Sequence, residues 1–314
     1  MRFTRRRFLL SMGAVGSAAL VTDAFLIEPN RLTITQHGIG APAEPGASKV
    51  RLVQWTDLHL QRVNGHAHDI ARETNRLEPD ILIITGDSVD RADRLGELDE
   101  LLCLVDRATP KYAILGNWEY KSSVDLAELA RVYAAHNCRL LVNATAEHRF
   151  GRSKLLITGL DDLMGGRPSL DVALSGIQPW KHHLLLMHCP AYRDMLPRML
   201  AGSRTTGESA QLDSISAAQP AWATWPPGPG TGSPIDLTQH RFDYMVSGHT
   251  HGGQITFFGA APCTPMGSGR YVSGWYREPG PALYVSRGLG TTAIPARFCA
   301  PPEIAVFDWT LGDT

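Results

Sequence analysis

The chain is poor in cysteine, shows no excess of either charge and contains no long unbroken apolar run. Five cysteines, at 103, 138, 189, 263 and 299, are spread through 314 residues. That is too few and too scattered for a disulfide scaffold, and the odd count leaves at least one thiol unpaired within the chain. The absence of a cysteine cluster also excludes the usual structural zinc knot. Lys and Arg number 30 against 31 Asp and Glu, a net charge of −1. A protein that grips nucleic acid through a global basic field is excluded on that count, and no specific nucleic-acid binding is expected. Apolar residues make up 43% and charged residues 19%, the balance of an ordinary globular chain rather than a disordered or fibrous one. No internal repeat is present.

Acidic residues are missing before Asp23. In their place Thr4-Arg5-Arg6-Arg7 precedes an apolar run from Phe8 to Val21. The run is too short, and too rich in Gly, Ala and Ser, for a membrane span of about 20 strongly apolar residues. Residues 1–25 are expected to be an export signal. The arrangement resembles a twin-arginine (Tat) signal, which would hand the protein to the Tat export machinery and place it in the periplasm or cell envelope. Association with the membrane would follow if the leader is retained. The other reading is a basic N-terminus that merely touches lipid.

Residues 26–48 carry the alternation Leu32-Thr33-Ile34-Thr35 and then a Pro/Gly/Ala stretch, expected as an edge strand and a linker. From residue 49 to 314 a single large domain is expected. Its first half alternates strand and helix signals. Strands are expected at Arg51–Thr56, Asp80–Thr85 and Lys111–Leu115. Between them, Ile70, Thr74 and Leu77, then Leu95, Leu98, Leu102 and Val105, fall at helical spacing, and Leu126, Leu129, Ala130 and Tyr133 follow. Ile81-Leu82-Ile83-Ile84 has the continuous apolar character of a strand buried on both faces. A βαβα order implies a parallel sheet. Later strands are expected at Leu155–Thr158, His183–Met187, Phe242–Val246, Gln254–Phe258, Ala282–Ser286 and Ile304–Asp308, with little helix, which implies a second, mixed sheet. Residues 201–234 form a Gly/Ser/Pro-rich insertion containing Trp222 and Trp225, either a floppy loop or a lid.

The chemistry gathers at strand ends. Asp57-Leu58-His59 follows the first strand of the domain, Gly86-Asp87 the second and Gly116-Asn117 the third. The three are about one βαβ unit apart, so parallel strands would present them side by side. His188 ends another strand, and Gly248-His249-Thr250-His251-Gly252-Gly253 sets two histidines two apart on a glycine-flanked loop. Any one of these motifs alone is more often a turn, a cap or a core histidine. Together they offer two Asp, four His and one Asn. That is too many for one tetrahedral zinc, but it suits two borderline or hard divalent ions, Mn, Fe or Zn, sharing a carboxylate. The residual positive charge would hold a bridging hydroxide as nucleophile and attract a phosphate.

With this ordered set, the chain from about Val50 to Asp308 resembles the calcineurin-like metallophosphoesterase superfamily. Ser286-Arg287-Gly288-Leu289-Gly290 and Cys299-Ala300-Pro301-Pro302-Glu303-Ile304 are similar to the bacterial YaeI/YkuE-type phosphoesterases with twin-arginine leaders. The resemblance implies an α/β fold, a four-layer α/β/β/α sandwich of two mixed sheets. It also implies that Asp57, His59, Asp87 and His251 hold one metal, that Asp87 bridges, and that Asn117, His188 and His249 hold the second. Asp87, Asn117 and His249 are thus the expected catalytic residues around a metal-activated water.

Two positions depart from the family pattern. A histidine usually follows Gly-Asn and serves as an acid, but here the residue is Trp118. An indole donates a hydrogen bond and cannot shuttle a proton at neutral pH. Chemistry must rely on a good leaving group or on another histidine, for which His66 and His68, just after the first motif loop, are candidates. Asp90 occupies the place of the tyrosine found in purple acid phosphatases, so no iron–tyrosinate site is expected. The expected reaction is hydrolysis of a phosphodiester or pyrophosphate in a small-molecule, nucleotide-sugar or lipid substrate. A phosphomonoesterase, or a metal-binding or sensor module with weak catalysis, are the alternatives. Arg287 could pair with a phosphate or serve its loop, and His66 could touch substrate or be a surface residue. His182 and His183 are expected to be partly exposed. His37, His136, His148 and His240 lack motif context.

Overall fold

The computed structural model describes residues 5–40, 47–151, 153–200, 236–278 and 280–312. The expected insertion at 201–234, with Trp222 and Trp225, lies outside the described residues.

Two six-stranded mixed sheets face one another. The first comprises β1 (Thr33–Gly40), β2 (Ser48–Trp55), β3 (Ile81–Thr85), β4 (Lys111–Ile114), β5 (Cys138–Leu140) and β12 (Glu303–Leu311), in the order β1-β12-β2-β3-β4-β5. Strands β2 to β5 run parallel, and the antiparallel partner β12 joins β2 to the edge strand β1. The second sheet comprises β6 (Ala144–Phe150), β7 (Ser153–Gly159), β8 (His183–Leu186), β9 (Tyr244–Ser247), β10 (Gly274–Tyr276) and β11 (Ala282–Val285), in the order β10-β11-β9-β8-β7-β6. Its four central strands are parallel, and each edge strand is antiparallel.

Strand periodicity assigns each side chain to a layer. Leu52, Ile81, Ile83, Ile114 and Phe307 point from the first sheet towards Leu155, Ile157, Leu184, Leu186 and Val246 of the second. Their neighbours Val53, Trp55, Leu82, Ile84 and Val306 point outward, under α2 (Gly65–Arg76), α3 (Leu95–Cys103) and α5 (Leu126–Ala135). The outward face of the second sheet, with Leu185, Met187, Met245 and Val285, packs on α6 (Leu170–Ala173) and α7 (Tyr192–Leu200). The result is the expected four-layer α/β/β/α sandwich. Runs such as Ile81–Ile84 are wholly apolar because both faces of that strand are covered.

Some local expectations need correction. Gln254–Phe258 is not a strand; it makes only isolated bridges, Ile255 to Phe298 and Phe257 to Ala260. His182 and His183 are buried, not partly exposed. His183 opens β8 on its helix-covered face and bonds the Thr158 hydroxyl at 2.7 Å.

The N-terminal segment forms α1 (Arg5–Thr22), which continues through Asp23–Ile27 into a 3-10 turn at Glu28–Asn30. No helix among the described residues is long and apolar enough to cross a membrane. The turn is tied to the domain. The buried Glu28 carboxylate accepts from the Cys299 and Ala300 amides at 2.9 and 2.5 Å, and Ala24 O accepts from the Arg297 amide at 2.8 Å.

Candidate metal centre

Five strand ends deliver the seven candidate ligands to one edge. β2 runs into Asp57-Leu58-His59, β3 into Gly86-Asp87, and β4 into Gly116 and α4 (Asn117–Lys121). From the second sheet, β8 is followed by His188, and β9 by Gly248-His249-Thr250-His251. Parallel strands bring their C-terminal ends together, which is where open α/β sheets bind ligands.

The backbone at these ends is forced. Asp57, His59, Asp87, His249 and His251 all have positive φ, from 43° to 75°. Each such non-glycine residue costs on the order of 1 kcal/mol or more, and strain of this kind collects at functional sites. The glycines permit close approach. A Cβ on Gly116 would lie 2.2 Å from Asp87 Oδ1, and one on Gly248 would lie 2.4 Å from Asp57 Oδ2. An alanine at either position would displace a ligand carboxylate.

The donor atoms form two clusters. In the first, His59 Nε2 is 3.0 Å from His251 Nε2 and 3.6 Å from Asp87 Oδ2, and His251 Nε2 is 3.5 Å from Asp57 Oδ1. In the second, His188 Nε2 is 3.2 Å from both Asp87 Oδ2 and Asn117 Oδ1, while His249 Nδ1 is 3.0 Å from Asn117 Oδ1 and 3.2 Å from His188 Nε2. Asp87 Oδ2 faces both clusters, so it is placed to serve both. Metal–ligand bonds of about 2.0–2.2 Å place neighbouring donors roughly 3 to 3.5 Å apart, and the observed spacings match. The donor set is all nitrogen and oxygen, suited to borderline and hard divalent ions. The residues therefore fit two metal ions, held by Asp57–His59–His251 and by Asp87–His188–His249, with Asn117 completing the second.

Surrounding groups fix the imidazoles. His188 Nδ1 lies 2.8 Å from Thr85 O, and His249 Nε2 lies 2.6 Å from Met266 O. A carbonyl only accepts, so those nitrogens carry the protons, and the lone pairs of the other two point into the centre. Asp57 accepts from the His249 amide on both oxygens, at 3.0 and 2.9 Å, and from the Thr56 hydroxyl at 2.9 Å.

Charge in the centre is correspondingly perturbed. Burial pushes the Asp57 carboxyl up. Asp87 is held well below the usual carboxylate range, because His188 and His59 outweigh the upward push of burial. His188 is raised, since the carboxylates around it, Asp87 foremost, overcome its own desolvation. Burial, then His188, brings His249 down to about 4, and burial, then His59, holds His251 well below its ordinary value. Neutral imidazoles are the forms that bind metals.

Trp118 stands at the rim, edge-on to His59 at 5.5 Å between ring centroids, with Lys121 Nζ 3.8 Å from its own ring centroid. A cleft of about 260 Å³ opens beside His59, lined among others by Leu58, Gln61, Arg62, His66 and Thr291. His66 bonds Leu289 O at 3.0 Å, and His68 is exposed. Arg287 is occupied elsewhere. Its Nε donates to Pro301 O at 3.1 Å and its Nη2 to Thr33 Oγ1 at 3.0 Å, which commits the edge that a bidentate phosphate contact would use.

Three supporting groups have roles that the sequence does not disclose. The buried Glu119 carboxylate accepts from the amides of Asp87 at 3.1 Å, Ser88 at 2.6 Å and Gly116 at 2.9 Å, joining the ends of β3 and β4. Asp162 lies behind His188 and accepts from the Met164 and Gly165 amides at 2.8 and 2.6 Å and from the Cys189 thiol at 3.2 Å. The fully buried Arg297 holds the carbonyls of Arg287, Gly290 and Ala300 at 2.9, 3.0 and 2.7 Å. One signal was available: Asp161-Asp162 is another acidic pair just past a strand end.

Two clusters of metal-binding donors that face one carboxylate, built at the joined edges of two mixed sheets, define a dinuclear metal hydrolase. The sequence pattern of the calcineurin-like phosphoesterases matches residues 50–253, a stretch that includes all seven candidate ligands, and the chain belongs to that family. The chain is similar to the metallophosphoesterases YkuE and YkoQ of Bacillus subtilis. YkuE is 27% identical over 98% of this chain and 97% of its own, and YkoQ 24% identical over 91% and 95%. It is also 28% identical to the UDP-2,3-diacylglucosamine pyrophosphatase LpxG of Chlamydia trachomatis, over 89% of this chain and 90% of that protein. The protein is a metal-dependent phosphoester hydrolase.

Proposed function

We propose that the enzyme cleaves a phosphodiester or pyrophosphate bond in a nucleotide-sugar or lipid-linked substrate. The observation that carries this reading is Trp118 packed edge-on against His59, where the family pattern has a proton-donating histidine. An indole leaves the departing oxygen without a proton donor at that place, which favours leaving groups that are good without assistance, as a diester or pyrophosphate provides. The similarity to a pyrophosphatase supports the same bond type.

When bound, two divalent ions of Mn, Fe or Zn would supply Lewis acidity to the phosphoryl oxygens and acidify water at the site. The chain's own residues do the rest. Asp87 holds the two clusters in register. Asn117 and His249 stand in the second cluster beside His188, and the carbonyls of Thr85 and Met266 fix the imidazoles. The cleft beside His59 receives the remainder of the substrate, with His66 and Arg62 on its wall.

The test compares hydrolysis of a chromogenic phosphodiester, a UDP-sugar pyrophosphate and a chromogenic monoester by the Mn²⁺-loaded protein, with Asp87→Asn as control. Diester or pyrophosphate cleavage should exceed monoester cleavage by at least about tenfold, and Asp87→Asn should abolish both. A preference for the monoester would overturn the reading.

The leader reading enters here too. The arginines at 5–7 ahead of an apolar run support export by the Tat route, to the periplasm or cell envelope, with membrane contact while the leader stays attached. Replacing Arg5, Arg6 and Arg7 by Lys should hold the protein in the cytoplasm on fractionation, and unchanged export would refute it.

A further inference from the structure

Three ligating side chains meet far along the sheet from the dinuclear centre. Asp99 and Cys103 are four residues apart on α3, so they share one face of the helix. His136 caps the C-terminus of α5. α3 leads to the start of β4 at Lys111, and α5 to the start of β5 at Cys138. The three side chains therefore lie at the edge where these strands begin, whereas Asn117 lies past the point where β4 ends.

His136 Nε2 is 2.7 Å from Asp99 Oδ1 and 4.0 Å from Cys103 Sγ, and all three donor atoms fall within 4.8 Å of one another. The imidazole is 1% exposed, while the Asp99 side chain is 51% exposed and Cys103 is exposed. One donor is thus anchored in the protein, and two sit at the surface where small rotations can close them on an ion. Bonds of about 2.0–2.3 Å would bring nitrogen and sulfur to roughly 3.5 Å and nitrogen and oxygen to roughly 3.3 Å. Both targets are within about 0.6 Å of the spacings above.

We propose that Asp99, Cys103 and His136 form a further divalent-metal site, of the zinc class, with its fourth position open to solvent. Thiolate, imidazole and carboxylate together are the donors a borderline dication prefers. An Asp–His ion pair would need no thiol one helical turn away. A metal there would clip the end of α3 to the end of α5 over strands β3 to β5, and would act independently of the catalytic edge.

The two sites can be told apart spectroscopically, because the dinuclear centre offers no sulfur. The full-length chain is stripped with a chelator under a non-thiol reductant and titrated with Co²⁺. A near-ultraviolet thiolate-to-cobalt absorption should appear with the intensity of one cobalt–thiolate bond per chain and saturate by three equivalents, since the dinuclear centre takes up two. It should persist in Asp87→Asn, vanish in Cys103→Ser, and need at least about tenfold more cobalt in His136→Gln. Cys103→Ser, at an exposed position, should hydrolyse the phosphodiester as the wild type does. Absence of the band in the wild type, or its survival in Cys103→Ser, would overturn the proposal and leave the reading of the catalytic centre untouched.

Discussion

At Trp118 the indole packs edge-on against His59, close enough to shape the substrate site yet unable to transfer a proton. Replacing it by His restores the proton donor found in the family pattern. Trp118→His is expected to raise kcat/KM for a chromogenic monoester by roughly tenfold or more, within the range general-acid catalysis supplies, while the diester rate changes little. Measuring both rates on one preparation checks it, and an unchanged ratio would remove Trp118 as the determinant of bond preference. The contrast between Trp118 and its neighbours also shows what single residues disclose. Asp57, His59, Asp87, Asn117, His188, His249 and His251 could be picked out from the sequence because each follows an apolar strand signal and has metal-binding chemistry of its own. The roles of Glu119 and Asp162 could not, because what they bind is mainly backbone. A carboxylate that accepts amides looks in sequence like any other carboxylate.

Between elements, Glu119 is the clearest joint. Its two oxygens take the amides of Asp87, Ser88 and Gly116, so one buried side chain sets the distance between the ends of β3 and β4. Burial, and Asp87 beside it, push its pKa up to about 7. Glu119→Gln replaces one acceptor by an NH₂ that faces amides. It is expected to weaken metal binding by about 10–100-fold and to lower stability by about 1–3 kcal/mol through the unpaired groups. Isothermal titration of the stripped protein with Mn²⁺ measures the first and urea denaturation the second; wild-type metal affinity would show that the joint does not position Asp87.

Within β8, burial and then His240 push His183 down to about 3, below the ordinary 6.5. As pH falls, the unfolded chain is therefore protonated first. The stability that depends on neutral His183 is complete above about 6.5 and is lost between 6.5 and 3, at up to about 1.4 kcal/mol per pH unit. His183→Gln should flatten the fall in urea midpoint between pH 7 and pH 5, and parallel slopes would contradict it. Elements differed in legibility for similar reasons of environment. The wholly buried β3 and β4 announced themselves by apolar runs. The edge strand β6 is mostly half-exposed with polar residues between, and the short β5 and β10 carry too few residues for any period to show.

Across the whole molecule, the dinuclear centre lies where the two sheets converge. Asp57, His59, Asp87 and Asn117 come from the ends of the first sheet, and His188, His249 and His251 from the ends of the second. Hydrogen bonds such as those of the His249 amide to Asp57 and of His188 to Thr85 O already cross between these edges, and two ions held by both sets would add cross-links between layers joined also by the apolar seam around Ile83, Ile114, Ile157 and Leu186. Without cations, the imidazole nitrogens and carboxylate oxygens that face the centre have only one another there, beside the backbone and hydroxyl partners that orient them. A ligand bound at about a thousand times its Kd adds about 4 kcal/mol to folding. For a domain of this size that corresponds to roughly 5–10 °C in Tm. Chelation should therefore lower the calorimetric midpoint of the wild type by that amount, and Mn²⁺ should restore it. In a Cys103→Ser background, which removes the proposed surface site, Asp87→Asn should shift far less with chelator than Cys103→Ser alone. Equal midpoints for wild-type protein with and without metal would mean that the apolar seam and the hydrogen bonds across the edge suffice to hold the sheets together, and that the ions contribute to chemistry but not to the joining of the two halves.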